Sequence, residues 1–182
     1  MRIQFADEEA FPNAAFLFEA NQERSLKSRG GQAALRRLEA ALLALPEKKL
    51  VADVIENAEG MVCGLGALAK HENYQGSLAL PTEPSDEATD EEWAAWYGQD
   101  EYGGKAIEDA MLALAKELNV PRLVAVAIIY ENDGSYFGAR AWTPEERYQH
   151  LLAWTRSWLH EDRSVWTQKN MVGYLTDPPE SK

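Results

Sequence analysis

Cys63 is the only cysteine in the chain, and it lies in the stretch EGMVCGLGALAKHE, Glu59 to Glu72, with His71 eight residues further on. A cysteine beside glycines at a possible helix start, followed by a histidine, has the composition of a nucleophilic site. A helix N-terminus lowers a thiol's pKa, and a base can take its proton. The spacing argues against this pair. Eight residues of continuous helix rise about 12 Å, whereas a nucleophile and its base meet at about 3 Å. His150 could approach only through tertiary folding, on a helix that also bears Arg147. The other reading makes Cys63 a small buried apolar residue, a common fate of cysteine. Composition favours burial, and a cysteine-dependent hydrolase stands as the alternative.

The triplet Asn132–Asp133–Gly134 has a plain role as a helix terminator and turn. It also offers Asp133 as a partner for Arg147, which would fix this turn against the last helix. One carboxylate and one amide are too few to argue for a metal site. His71, Glu72, His150, His160, Glu161 and Asp162 lack the spacing of a ligand set. No metalloprotease helix motif, phosphate-binding glycine loop or EF-hand loop is present. The expectation is a protein without metal or cofactor.

Charge and aromatics are more informative. The net charge is −12. Between Lys70 and Lys105 there is no Lys or Arg, while nine acids, among them Glu91 and Glu92, fall in that interval. Nucleic-acid affinity depends on clustered cations that release counterions, so this composition argues against DNA or RNA as a partner. The acidic run reads either as a solvated loop or as a surface that meets a basic partner or imitates nucleic acid. Trp93, Trp96, Tyr97, Tyr102, Tyr136, Phe137 and Trp142 gather in and beyond this run. Aromatics with few cations suit a protein interface, or a pocket that stacks a small planar ligand with Arg140 or Arg147. Packing of the insertion onto the domain is the competing explanation.

These residues need elements to hold them. Ala34, Leu35, Leu38, Leu42 and Leu45 recur at helical spacing, and Pro46 closes that helix. Leu50, Val51, Val54 and Ile55 predict a second helix after Pro46, ending at Asn57 to Gly60. In VCGLGALAKH two glycines cost about 1 kcal/mol each in a helix interior. They imply close backbone packing or a helix start that faces a ligand. TDEEWAAWY predicts a short helix capped by Thr89, and KAIEDAMLALAKELN a clear amphipathic one. VPRLVAVAIIYENDG carries strand-like Val124, Val126, Ile128 and Ile129 between helix signals, and its helical neighbours favour a buried helix. TPEERYQHLLAWTRSWLHED opens with Thr143 as N-cap, Pro144 at the first position and Glu146 completing a capping box. The first 27 residues leave helix and strand open, although Phe11, Phe16, Leu17 and Phe18 should dock on the body.

The expected architecture is mainly α: a single compact domain of about five to six helices over residues 31–162. An arm at 1–30 precedes it, an acidic aromatic-rich insertion occupies 73–104, and a tail at 163–182 ends disordered. The longest apolar runs, Ala40 to Leu45 and Leu123 to Tyr130, are too short to span a bilayer. The acids in MRIQFADEEAF take the place of a signal peptide's apolar stretch. A cytoplasmic protein with no membrane partner is the expectation.

Three islands stand in order: VCGLGALAKH, YENDG and TPEERYQHLLAWTRSWL. Together they resemble a family of small uncharacterised proteins of bacteriophages and actinobacteria. Those proteins carry a Cys-x-Leu-Gly-Ala segment, an Asn-Asp pair and a Thr-Pro-Glu-Glu-Arg helix opening. The resemblance covers roughly residues 31–72 and 105–159. It implies a compact helical domain and a phage-type accessory role in the host cytoplasm, with no activity or catalytic residue to carry over. The leading expectation is a non-enzymatic protein that binds a host protein through its acidic aromatic surface, with counter-defence a natural use. The residues expected to bind are Glu91, Glu92, Trp93, Trp96, Tyr97, Tyr136, Phe137, Arg140, Trp142 and Arg147. A protein that binds or sequesters a nucleotide-like ligand is the alternative.

Overall fold

The computed structural model describes residues 14–80, 84–85, 87–97, 105–133 and 142–159. They form seven helices: α1 (Ala14–Lys27), α2 (Arg29–Ala44), α3 (Gly64–His71), α4 (Asp90–Tyr97), α5 (Lys105–Glu117), α6 (Arg122–Asp133) and α7 (Pro144–Leu159). Among the described residues the only β-feature is one isolated antiparallel bridge, Glu56 to Val62. The mainly α domain expected from the sequence is the observed one. Its helix count exceeds five to six because the arm, from Ala14, is itself helical and packs on α2 and α6. The expected tail at 163–182 lies outside the described residues.

α6 is the centre of the packing. It touches α1, α3, α5 and α7, and Val124 through Ile129 are buried without a break. A helix enclosed on all sides is apolar all round. That explains why its β-branched run resembles a strand in sequence. α2 lays Ala34, Leu35, Leu38, Ala41 and Leu42 against α3 and α7, as its periodicity requires. Burying each such leucine contributes about 2 kcal/mol. Ser28 separates α1 from α2 and caps the latter, its hydroxyl accepting from Gly31 N at 3.0 Å. A half-buried clasp ties α2 to α3 and α5: Arg37 grips Glu72 at 2.5 and 2.6 Å and reaches the Leu118 carbonyl just past α5 at 2.6 Å.

One expected element is absent. The helix predicted from Pro46 to Gly60 is an irregular, doubled-back segment. Leu50 and Ile55 are buried, as the apolar pattern demanded, but the backbone bonds elsewhere. Leu50 N donates to Pro144 O, Val51 N to Val62 O and Cys63 N to Ile55 O, at 3.0, 3.1 and 3.0 Å. The turn at Asn57–Gly60 folds the segment back, with Met61 N on Asn57 Oδ1 at 2.9 Å and Gly60 at φ 80°. Asp53 also stands at φ 59°, a conformation that no α-helix contains. The pattern Leu50, Val51, Val54, Ile55 serves a helix or a folded-back loop equally. Three β-branched residues among these four tilt the balance away from the helix.

The glycines of VCGLGALAKH are close-packing positions. A methyl group on Gly64 would lie 2.6 Å from Leu151 Cδ2, and one on Gly66 would lie 2.4 Å from the Ile55 carbonyl oxygen. A leucine end can swing aside, whereas that carbonyl accepts from Cys63 N and cannot. Gly66→Ala should therefore destabilise by about 3 kcal/mol and Gly64→Ala by about 1 kcal/mol. Denaturant titration measures both; equal effects would contradict the assignment of the backbone clash.

Candidate functional site

The three islands VCGLGALAKH, YENDG and TPEERY meet in space around one side chain, that of Asn132. It sits in the last turn of α6 and is 1% exposed. Its Oδ1 accepts from Gly64 N at 2.9 Å. Its Nδ2 donates to Val51 O at 2.8 Å and to Asp133 Oδ1 at 2.9 Å. Its own carbonyl accepts from Arg147 Nε at 2.7 Å, and Arg147 Nη1 extends to Leu50 O at 3.5 Å. One amide thus joins α3, α6, the 45–63 segment and, through its carbonyl, α7. Arg147 itself is 8% exposed.

The expected pairing of Asp133 with Arg147 is corrected here. Arg147 reaches this turn but binds the Asn132 carbonyl, because helix termini leave carbonyls that need donors. Asp133 Oδ1 instead accepts from the Asp53 backbone N–H at 3.3 Å and from Asn132. Burial raises the Asp133 carboxyl above the ordinary aspartate value; the bond from Asn132 opposes this, and the Asp53 charge adds to it.

Cys63 caps α3, its Sγ accepting from Gly66 N at 3.4 Å. It is 3% exposed, and burial pushes its thiol up to about 12. At neutral pH it is a thiol with no access to solvent. His71 stands exposed in the last turn of α3. A free helix start facing a ligand is also excluded, since Asn132 Oδ1 and Cys63 Sγ already occupy the Gly64 and Gly66 N–H groups. The burial of Cys63 is the state expected of a small apolar residue in the core.

The expected binding residues fall on two supports. α4 carries the first: Thr89 and Glu92 form a reciprocal capping box, with Thr89 N on Glu92 Oε2 at 2.7 Å and Glu92 N on Thr89 Oγ1 at 3.3 Å. The Thr89 bonds hold the Glu92 carboxyl below its ordinary value. Asp90, Glu91 and Glu92 are exposed, Trp93 and Trp96 are half-buried, and the helix packs on α5. Tyr97 closes α4, with its side chain outside the description.

The second support is the α6–α7 junction. Trp142 lies against the His150 ring, centroids 4.3 Å apart and tilted by 41°. His150 Nε2 meets Glu131 Oε2 at 2.7 Å. Arg147 is committed to backbone carbonyls and does not present its guanidinium as a ligand clamp. Tyr136, Phe137 and Arg140 lie outside the described residues.

Among the described residues no three His, Cys, Asp or Glu side chains come together as a metal site, and no helix is long and apolar enough to cross a membrane. No family model, curated protein or solved structure matches the chain.

Sequence reasoning missed the hub role of Asn132 and the Arg37–Glu72 clasp. The signal for Asn132 was its helical register: it stands three and four residues after Ile129 and Ile128, on the face of α6 that the apolar run buries. Asn132→Ala leaves the Gly64 N–H and Val51 carbonyl buried without their partner and should cost about 3 kcal/mol. Denaturant titration reads this loss. Cys63 should resist a thiol reagent in the native protein and react at the rate of unfolding, which timed labelling with mass spectrometry follows.

Proposed function

We propose that this chain is a non-enzymatic binding protein that engages a basic surface of a partner protein through α4. The observation that carries the reading is the build of that helix. Its cap is closed by Thr89 and Glu92, its aromatics Trp93 and Trp96 face inward enough to be half-buried, and its acids Asp90, Glu91 and Glu92 face water. A charged helix turn held rigid in this way presents fixed carboxylates at little further loss of backbone entropy on binding. The acid-only interval around it adds long-range attraction for a cationic partner. The buried Cys63 thiol weighs against the hydrolase, and the engagement of Arg147 with carbonyls weighs against a stacked ligand clamped by that residue. The phage-type accessory role, with a host protein as partner and counter-defence as its use, belongs to the same proposal and rests on the resemblance of the three islands.

The test separates charge from helix integrity. Glu91 makes no cap contact, so Glu91→Lys with Asp90→Lys should leave the fold intact and weaken capture of the partner by about tenfold or more. Partner capture from host lysate, quantified against the wild type at two salt concentrations, measures it. Capture that is unchanged by the reversal and insensitive to salt would remove the basis of the proposal.

A further inference from the structure

We propose that the end of the molecule where α1 passes to α2 and α5 to α6 is a cationic docking surface, and that it receives the acidic first turn of α4 from a second copy of this chain. The proposal rests on the reading of α4 as an acidic docking helix and names a partner surface for it. Among the described residues, the cations whose side chains have no hydrogen-bond or ion-pair partner are Arg24, Arg29, Arg36, Lys116 and Arg122. All of them are exposed, and the fold collects them. Arg24 stands in the last turn of α1, Arg29 opens α2, Lys116 stands in the last turn of α5 and Arg122 opens α6. Arg29, Ala33 and Arg36 follow one another along the outer face of α2. The α5–α6 turn lies along the same half of α2: a methyl group on Gly30 would sit 3.4 Å from Pro121 Cγ, and Arg37 Nη2 reaches Leu118 O at 2.6 Å.

The acids beside these cations leave little opposing charge. Glu23 pairs with Lys27, Glu72 with Arg37 and Glu39 with Arg156. Glu117 accepts from the neutral Tyr74 hydroxyl at 2.5 Å and keeps its charge. In a chain of net charge −12, this end is therefore the place that attracts acids. The complementary surface is present on the same molecule. Asp90 and Glu91 are exposed, lie outside the cap of α4, and belong to the interval that has no Lys or Arg. Within one copy the two surfaces do not pair: among the described residues no ion pair joins Asp90 or Glu91 to a cation, and α4 packs on α5. Between copies they are free to meet. Two copies of net negative charge repel, but at physiological salt that repulsion is screened beyond about 8 Å, while opposite charges in contact still attract. The contact is heterologous, with α4 of one copy on the cationic end of the next. Exposed ion pairs are individually weak, so association is expected at ~0.1–1 mM protein.

Sedimentation velocity of the full chain reads this association. At about 0.15 M salt the wild type should sediment faster as its concentration rises towards ~1 mM, and about 0.5 M salt should abolish the rise. Arg29→Glu with Arg122→Glu reverses the cationic end. Glutamate at the first position of each helix suits the helix dipole, so this variant keeps its fold. Asp90→Lys with Glu91→Lys reverses α4. Each double variant alone should associate about tenfold or more weakly than wild type. An equimolar mixture of the two should regain association, because it restores opposite charges across the contact. A wild type that is monomeric throughout, association that neither reversal weakens, or a mixture no better than its components would overturn the proposal. A monomeric wild type that binds a polyglutamate peptide would also overturn it, by assigning the cationic end to a different acidic partner. The reading of α4 is separable: Glu91-dependent capture of a host protein by a chain that stays monomeric keeps that reading and removes this one.

Discussion

A buried primary amide with a hydrogen bond on each of its two polar atoms is the constraint on which the rest of this fold depends. Asn132 cannot be desolvated without partners, since each unpaired polar group costs on the order of 1–3 kcal/mol. Beyond the neighbouring Asp133 carboxylate, its partners are backbone groups of two other segments, Gly64 N and Val51 O. Both groups exist in the right place only if α3 begins at Gly64 and the chain before it doubles back. The amide thereby selects a backbone geometry that apolar contact alone would leave open. Hydrophobic burial brings α2, α3, α6 and α7 together; the amide sets how they are registered.

The absent helix follows from the same constraint. A helix over residues 46–60 would direct its carbonyls along its own axis, leaving Val51 O unable to meet Asn132 and Leu50 O unable to meet Arg147. The loop form frees those carbonyls for donors on α6 and α7. It also carries the Ile55 carbonyl against Gly66, and no residue with a Cβ fits there. Local propensity and tertiary demand agree here, since β-branched residues and Asp53 are poor helix formers.

Sequence reasoning reached the elements whose signals are local. The N-cap at Thr89 and the capping box at Thr143 are observed as read, and Glu92 completes a box at Thr89 too, because a Thr and a Glu three residues later satisfy each other without help from elsewhere. The amphipathic α2 and the glycines of α3 were legible for a related reason: their burial or crowding leaves a mark on composition. The 45–63 segment was not legible, since its bonds run to residues up to about a hundred positions away, and a period pattern cannot encode them. Of the candidate site, burial of Cys63 could be read from its neighbours. The choice of Arg147 between a carboxylate and a carbonyl could not, because both lie on adjacent residues of the same turn.

The motif residues that looked most chemical are the ones most fully engaged inside the protein. The N–H groups of Gly64 and Gly66 at the start of α3 have Asn132 and Cys63 as acceptors, Arg147 has two carbonyls, and the Cys63 thiol is sealed. A group whose bonding capacity is met by its own fold can offer little to a ligand without breaking what it holds. Function is then sought where polar groups are fixed in place and yet face water. α4 has that combination: its backbone is closed by an internal cap, and two of its three first-turn carboxylates are left out of that cap. Among the described residues, the contrast between an interior junction with satisfied polar groups and an outer helix whose Asp90 and Glu91 face water is the physical ground for proposing recognition at α4, while Asn132 serves the architecture.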